Sequence, residues 1–187
     1  MAETAAHEDL KVLISAEQIQ KRVREMGRQV TEQYRGKTLH IIGVLDDAFI
    51  FMSDLVRAIE IPTLCGFLKP RFNESPVATG QLLTIFFSPE IAVQGHHVVL
   101  VEAVISTGLT AEFLMRNLLA RGAASVKLMT LLDKQTARSV LLQPDYLGFL
   151  VKDDRLVGYG LGGPQLWRNL PYIATMSKPS SGAGQPS

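Results

Sequence analysis

The sequence predicts an α/β domain with a mainly parallel central sheet flanked by helices. Short apolar runs suited to strands covered on both faces alternate with stretches whose apolar residues recur at helical spacing. No internal repeat interrupts that alternation. A chain of 187 residues with 47% hydrophobic residues fits one domain, large enough to bury about 70% of the surface it would expose unfolded.

The elements follow in order. Residues 1–10 read as a flexible N-terminal segment and residues 11–176 as the folded domain. Ser15 and Gln18 have capping-box spacing, and Ile19, Val23, Met26 and Val30 then share one helical face until Gly36 stops the pattern. Leu39 to Leu45 is a buried strand, and Phe49, Met52, Leu55 and Ile59 restart a helical stripe. Ile61 to Phe67 and Gln81 to Phe87 are β-prone. Between them, Lys69 to Thr79 contains two prolines, Asn73 and Ser75, and reads as an exposed loop. His97 to Glu102 is a third buried strand, Thr110 to Arg121 a helix closed by Gly122, and Ser125 to Leu132 a fourth strand. Asp145 to Leu150 and Leu156 to Tyr159 look like later short strands. Residues 177–187, rich in Ser, Gly and Pro, make a C-terminal tail that cannot bury enough to order itself.

Composition narrows the partners. There are 19 basic and 18 acidic side chains spread along the chain, a net charge of +1. That balance gives no field to hold nucleic acid or an anionic membrane. No apolar stretch approaches the roughly 18 residues of a membrane span, and residues 1–9 lack a basic region followed by an apolar core. A cytoplasmic protein is expected. The single cysteine, Cys65, excludes an intrachain disulfide and reads as a small interior hydrophobe. His96 and His97 have no carboxylate or cysteine at metal-ligand spacing and read as solvated turn residues.

In an open parallel sheet the ligand crevice lies beyond the carboxyl ends of the strands. Three such places stand out: Leu45 to Ala48, Glu102 to Thr110, and Asp133 to Lys134. The second is the most informative. Val98 to Glu102 ends in a short loop of small and hydroxyl residues, Ser106-Thr107-Gly108-Leu109-Thr110, which opens a helix. Backbone N–H groups there would point at an anion, Gly108 permits close approach, and Ser106, Thr107 and Thr110 add hydroxyl donors. The spacing alone also allows a tight turn with a threonine cap.

This segment resembles the phosphoribosyl diphosphate motif of type I phosphoribosyltransferases: an apolar strand, two acids, two apolar residues, then Asp-Thr-Gly-x-Thr. Val12 to Ser15, Ile42 to Leu45, Phe51-Met52 with Asp54-Leu55, Leu131 to Lys134, Asp145 to Phe149, Val157 to Leu161 and Arg168 to Tyr172 are similar to the hypoxanthine-guanine enzymes in order and spacing. The resemblance covers about residues 11 to 174. It implies the type I phosphoribosyltransferase fold with a small hood, and a dimer or tetramer. It also implies transfer of ribose 5-phosphate from phosphoribosyl diphosphate to a purine nitrogen, with Mg²⁺ shielding the leaving pyrophosphate.

The resemblance implies a role for each site residue, and several positions depart from it. The two acids ending the strand, which hold the ribose hydroxyls, read Glu102 and Ala103 here. The Asp that exchanges a proton with the purine reads Ser106. A methyl group cannot hold a hydroxyl, and a serine is a poor general base without an activating partner. Losing general acid-base assistance costs about a hundred- to ten-thousandfold in rate. The pyrophosphate loop, Leu-Lys-Gly-Ala or Leu-Lys-Gly-Gly in the family, is Leu45-Asp46-Asp47-Ala48. Its acids fit either a solvated turn capping the next helix or, with Glu102, a relocated Mg²⁺ site. A further acid that helps hold metal and pyrophosphate is replaced by Gly162, followed by Gly163 and Pro164. The closing loop reads Lys69-Pro-Arg-Phe-Asn-Glu74 where the family has Ser-Tyr. At the purine end, Lys134 matches a lysine that reads the exocyclic oxygen, Leu156 a position whose backbone pairs with the base edge, and Arg155 a stacking position. Arg168 matches an arginine near the diphosphate and is free to pair with Glu102 or Asp47 instead. Trp167 and Tyr172 read as packing residues beside the site.

Two functions lead, with a structural subunit paired with an active relative as a third. One is a module that binds a purine nucleoside 5′-monophosphate or phosphoribosyl diphosphate, with strongly impaired transfer chemistry and no metal requirement. The other is an active purine-salvage enzyme that uses Mg²⁺ to make inosine or guanosine monophosphate.

Overall fold

Ser15 opens the first helix through both halves of a capping box: its hydroxyl accepts from the Gln18 backbone at 3.3 Å, and its own N–H donates to the Gln18 side chain at 2.8 Å. The structure, a computed structural model, describes residues 10–73, 82–87, 91–152, 155–162 and 166–176. Strand β1 (Leu10–Ile14) precedes helix α1 (Ala16–Gln33), so ordered structure starts one residue before the predicted domain boundary. The predicted flexible start and tail lie outside the described residues. Strand β2 (Leu39–Val44) and helix α2 (Phe49–Arg57) follow, then β3 (Thr63–Asn73), β4 (Leu82–Phe87), β5 (His97–Ile105), helix α3 (Leu109–Ala120), β6 (Ser125–Asp133), β7 (Tyr146–Leu150), β8 (Leu156–Val157) and β9 (Ile173–Met176).

One sheet has the spatial order β4-β3-β2-β5-β6-β7, in which five strands are parallel and β4 is antiparallel to β3. The second, β1-β9-β8, is antiparallel and forms the hood. Period-2 alternation splits the core between the two faces of the main sheet. Ile41, Val99, Val101 and Met129 pack with Ile19, Val23, Met26, Phe51 and Leu55 of α1 and α2. Their neighbours Ile42, Val98, Leu100 and Leu128 pack with Ala111, Leu114 and Leu118 of α3. Both faces are covered, which is why the strands read as continuous apolar runs.

Four expectations are corrected. Lys69 to Asn73 belongs to β3 and pairs with β4, for example Lys69 with Phe86 and Asn73 with Leu82; residues 74–79 lie outside the described residues. Pro70 is tolerated because β2 stops pairing with β3 at Leu68, so only one side of the strand needs donors there. Cys65 is exposed, as are Leu64 and Phe67, because this stretch of β3 lies at the margin of the helical cover. His96 and His97 are half-buried. The parallel register sets His97 beside Ser125, whose hydroxyl lies 2.8 Å from its Nδ1, and the His96 ring lies 6.3 Å from that of His40. Finally, β9 was not anticipated; it pairs with β1 more than 150 residues earlier, at Leu10 with Met176 and Val12 with Ala174.

Candidate active site

β5 carries its chain to Ile105, and the turn that follows is built around Gly108 at φ 83°, the N-cap of α3. A side chain is excluded there twice over: the left-handed backbone disfavours it, and a Cβ would stand 2.9 Å from Val140 Cγ2 and 3.0 Å from Arg138 Nη1. The Gly108 carbonyl accepts the first helical bond from Glu112 N–H at 2.9 Å. Thr110 lies inside the helix and does not cap it, but the Thr107 hydroxyl accepts from Leu109 N–H at 3.4 Å, which keeps the threonine-capped turn that the spacing allowed. Thr107 is exposed and Ser106 and Thr110 half-buried, while the Thr107 carbonyl is braced by Ser139 N–H at 2.9 Å. A rigid loop with accessible hydroxyls at the start of a helix is an anion-binding geometry.

Below this loop Glu102 and Asp133, both in crevice segments that the sequence singles out, meet Arg138, which sequence reasoning missed. Asp133, at the end of β6, is 1% exposed and its Oδ1 accepts from Arg138 Nη2. Glu102, at 7% exposure, has its carboxyl pushed up to about 7 by burial, with the Arg138 guanidinium pulling the other way. Glu102 Oε1, Asp133 Oδ2 and Arg138 Nη1 are buried and have no hydrogen-bond partner among the described residues. Arg138 follows a single 3-10 turn over Gln135–Ala137, so neither a helical nor a strand period links it to Asp133.

Across the crevice, the loop after β2 carries its acids outward, and the Leu45–Asp46 peptide is cis. These acids do not cap α2, whose N-cap is Ala48 and whose first turn has none. Asp46 Oδ2 instead accepts from Lys69 Nζ at 2.6 Å, and Asp47 Oδ1 from Arg168 Nη1 at 2.5 Å. Of the two partners foreseen for Arg168, it is Asp47 that it meets. A cleft of about 220 Å³ brings together Leu45, Asp47, Glu102, Ala103 and Thr110, with Val44, Pro70 and Val104 completing its wall.

The remaining predicted residues lie elsewhere. Lys134 is half-buried where β6 ends, its N–H donating to the Ile105 carbonyl at 2.9 Å beside the Ser106 to Thr110 loop. Leu156 is buried in β8, and Arg155 is exposed, with its carbonyl accepting from Met176 N–H at 3.0 Å. The main sheet thus supplies Lys134 and the hood supplies Arg155 and Leu156. Trp167 and Tyr172 are half-buried; Gly163 and Pro164 lie outside the described residues.

A phosphoribosyl transferase domain family matches residues 14–161. The hypoxanthine-guanine phosphoribosyltransferase of Bacillus subtilis is 38% identical over 171 residues, covering 91% of this chain and 94% of that protein. The chain belongs to this family. The hypoxanthine-guanine phosphoribosyltransferase of Mycobacterium avium is 39% identical across 90% of this chain and 86% of its own length. The bifunctional protein TilS/HprT of Listeria innocua is 38% identical over 91% of this chain, which spans only 26% of that longer protein. The crystal structure of a hypoxanthine phosphoribosyltransferase from Staphylococcus aureus superposes with a TM-score of 0.85 at 31% identity, covering 95% of this chain and 97% of the other. The type I phosphoribosyltransferase fold and the relationship to purine-salvage enzymes are therefore established, hood included.

The family's chemistry implies Mg²⁺, and the acids around this cleft fit it poorly. Mg²⁺ favours oxygen ligands in near-octahedral array, chiefly ionised carboxylates, phosphates and water. Glu102 is protonated up to about neutral pH and has Ala103 beside it. An ion at Asp46 and Asp47 would compete with Lys69 and Arg168, which already neutralise them. Among the described residues, no three His, Cys, Asp or Glu side chains gather as a ligand set, and no helix is long and apolar enough to cross a membrane.

Proposed function

We propose that this phosphoribosyltransferase-family chain binds a purine nucleoside 5′-monophosphate or phosphoribosyl diphosphate through Ser106 to Thr110, with phosphoribosyl transfer strongly impaired. The observation that carries the binding half is the Gly108 turn, locked by Arg138 and Val140 beneath it and opening the 12-residue helix α3. Its N–H groups and the hydroxyls of Ser106, Thr107 and Thr110 suit a phosphate monoester. Lys134 then faces the six-oxo group of hypoxanthine or guanine, the Leu156 backbone pairs with the base edge, and Arg155 stacks on it.

The impaired half follows from the side chains themselves. Transfer builds positive charge on the ribose and moves a proton at the purine. Ser106 supplies no group that ionises near neutral pH, Ala103 no charge, and Gly162 no side chain. Titration calorimetry with inosine and guanosine monophosphates, followed by a turnover assay with hypoxanthine, phosphoribosyl diphosphate and Mg²⁺ on the same sample, tests both halves. Equal affinity for nucleoside and nucleotide would remove the first, and rapid turnover the second.

One observation favours the alternative, an active salvage enzyme making inosine or guanosine monophosphate with Mg²⁺. Glu102 lines the cleft with its pKa raised to about 7, the range in which a carboxyl can exchange protons. If that reading holds, Glu102→Gln abolishes a measurable wild-type rate. Assembly into a dimer or tetramer is part of the same proposal, supported by the exposed Leu64 and Phe67 on β3. Light scattering on the purified chain decides it.

A further inference from the structure

Asp47 stands on the wall of the cleft, and the cation it holds directs three hydrogen bonds to partners inside the chain. Arg168 Nη1 donates to Asp47 Oδ1 and to the Gly160 carbonyl, each at 2.5 Å, and its Nη2 donates to the Gly162 carbonyl at 3.2 Å. Gly162 makes this fold-back possible: a Cβ there would come within 2.9 Å of Arg168 Cγ and 2.7 Å of the Leu166 carbonyl. Gly162, Arg168 and Asp47 therefore form one unit, in which the missing side chain at 162 leaves room for an arginine that an internal carboxylate then neutralises. Beside it, Lys69 is taken by Asp46 in the same way. Both cations at this end of the crevice already carry a carboxylate, the group whose geometry an incoming phosphate would imitate.

We propose that Asp47 is a built-in anion that disfavours a second phosphate on this side of the crevice, so that of the two ligands proposed above the chain prefers the nucleoside monophosphate to phosphoribosyl diphosphate, and binds free pyrophosphate weakly. The location of that single phosphate rests on the nucleotide reading above. A pyrophosphate would have to expel Asp47 from Arg168 and then lie beside the carboxylates of Asp46 and Asp47, which repel it. A ribose hydroxyl meets the opposite situation, because it is a donor. The buried Glu102 Oε1, which lines the same cleft, lacks a partner, and Asp47 offers further acceptor lone pairs.

The test is calorimetry on the full chain with guanosine monophosphate and with inorganic pyrophosphate, each with and without Mg²⁺. Wild type, Asp47→Asn and the double variant Asp46→Asn/Asp47→Asn are compared. The Asp47 side chain is 55% exposed, so the amide is accommodated without disturbing the core, and circular dichroism checks the fold. Wild type is expected to bind the monophosphate at least about tenfold more tightly than pyrophosphate, and Asp47→Asn to raise the pyrophosphate-to-monophosphate affinity ratio by at least about tenfold, roughly 1.4 kcal/mol. Wild-type pyrophosphate binding as tight as that of the monophosphate, with or without Mg²⁺, overturns the proposal. So does the lack of any pyrophosphate gain in both variants. If the monophosphate fails to bind while Asp47→Asn gains pyrophosphate, the nucleotide reading falls and the exclusion by Asp47 stands.

Discussion

A Cβ on Gly108 would stand 3.0 Å from Nη1 of Arg138, so the phosphate loop and the charged cluster beneath it share one packing constraint. Gly108→Val would meet that contact and the strained φ together, and left-handed backbone at a β-branched residue costs on the order of 1–3 kcal/mol. The variant is expected to stay folded by circular dichroism while losing at least about tenfold in nucleoside monophosphate affinity. Unchanged affinity in a folded variant would detach the loop from phosphate binding.

Arg138 is expected to matter for stability as well. Asp133 is 1% exposed and Arg138 is its ion-pair partner, with the guanidinium itself largely buried. Removing one member of a buried pair typically costs about 3–5 kcal/mol, since the other charge is left without compensation. Arg138→Ala should therefore lower the urea midpoint strongly, and Arg138→Lys should recover part of the loss. A midpoint that does not move would show that the Asp133 charge is balanced by another group.

How much of this was legible in the sequence depended on distance along the chain. Apolar runs such as Val98 to Glu102 and the capping box at Ser15 and Gln18 are local patterns, so strands, helices and the Ser106 to Thr110 turn could be read from them. β9 could not: four residues, Ile173–Met176, are ordered by pairing with β1 at the other end of the domain. The exposure of Cys65 depends on where helical cover ends, which no residue near it encodes. Arg138 escaped because a 3-10 turn places it over Asp133 without any period. The Asp47–Arg168 pair, 121 residues apart, came within reach only because the family resemblance had set both at one crevice.

Glu102 gives a pH-dependent stability whose sign is fixed by the direction of its shift. Its folded pKa lies near 7, above the ordinary 4.5, so between those values the native state binds more protons than the unfolded chain. Stability contributed by this residue is full below pH 4.5, falls as pH rises towards about 7, and stays low above it. Glu102→Gln removes the titration and should stabilise the protein above neutral pH by up to about 3 kcal/mol relative to its effect in acid. Denaturant midpoints of wild type and variant across that range test it. A difference that grows towards acid would reverse the assignment.

Base discrimination is expected to follow Lys134. An ammonium donates only, so it favours the six-oxo acceptor of hypoxanthine and guanine over the six-amino donor of adenine. Guanosine and inosine monophosphates should bind more tightly than adenosine monophosphate, and Lys134→Ala should erase most of the difference, on the order of 1–3 kcal/mol for a charged hydrogen bond. Competition titrations measure it. An adenine preference in wild type, or discrimination untouched in the variant, would place the base elsewhere.

The last expectation concerns transfer itself. Wild type should turn over hypoxanthine or guanine far below the roughly 1 to 1,000 per second usual for enzymes, because fixed negative charge near the ribose and a proton-exchanging group near the purine are both scarce. Glu102 cannot supply them alone: at its raised pKa a large share of it is neutral at pH 7, and its position at the end of β5 serves one place only. Asp46 and Asp47 are held by Lys69 and Arg168 and follow a different strand, β2. Ala103→Asp with Ser106→Asp restores two carboxylates where they are missing. Ser106 is half-buried at its loop, whereas Ala103 borders the cleft but is only 2% exposed, so circular dichroism must first show that the double variant folds. Restoring an acid at Gly162 is a poorer choice, because its Cβ would strike Arg168. The double variant should raise the rate by at least about a hundredfold, the lower end of what general acid-base assistance contributes. An assay with hypoxanthine, phosphoribosyl diphosphate and Mg²⁺ reads both proteins together. Robust wild-type turnover would return the chain to the active enzymes of its family. A double variant as slow as wild type would leave the altered Leu45 to Ala48 loop and Gly162 as the remaining causes of the slow rate.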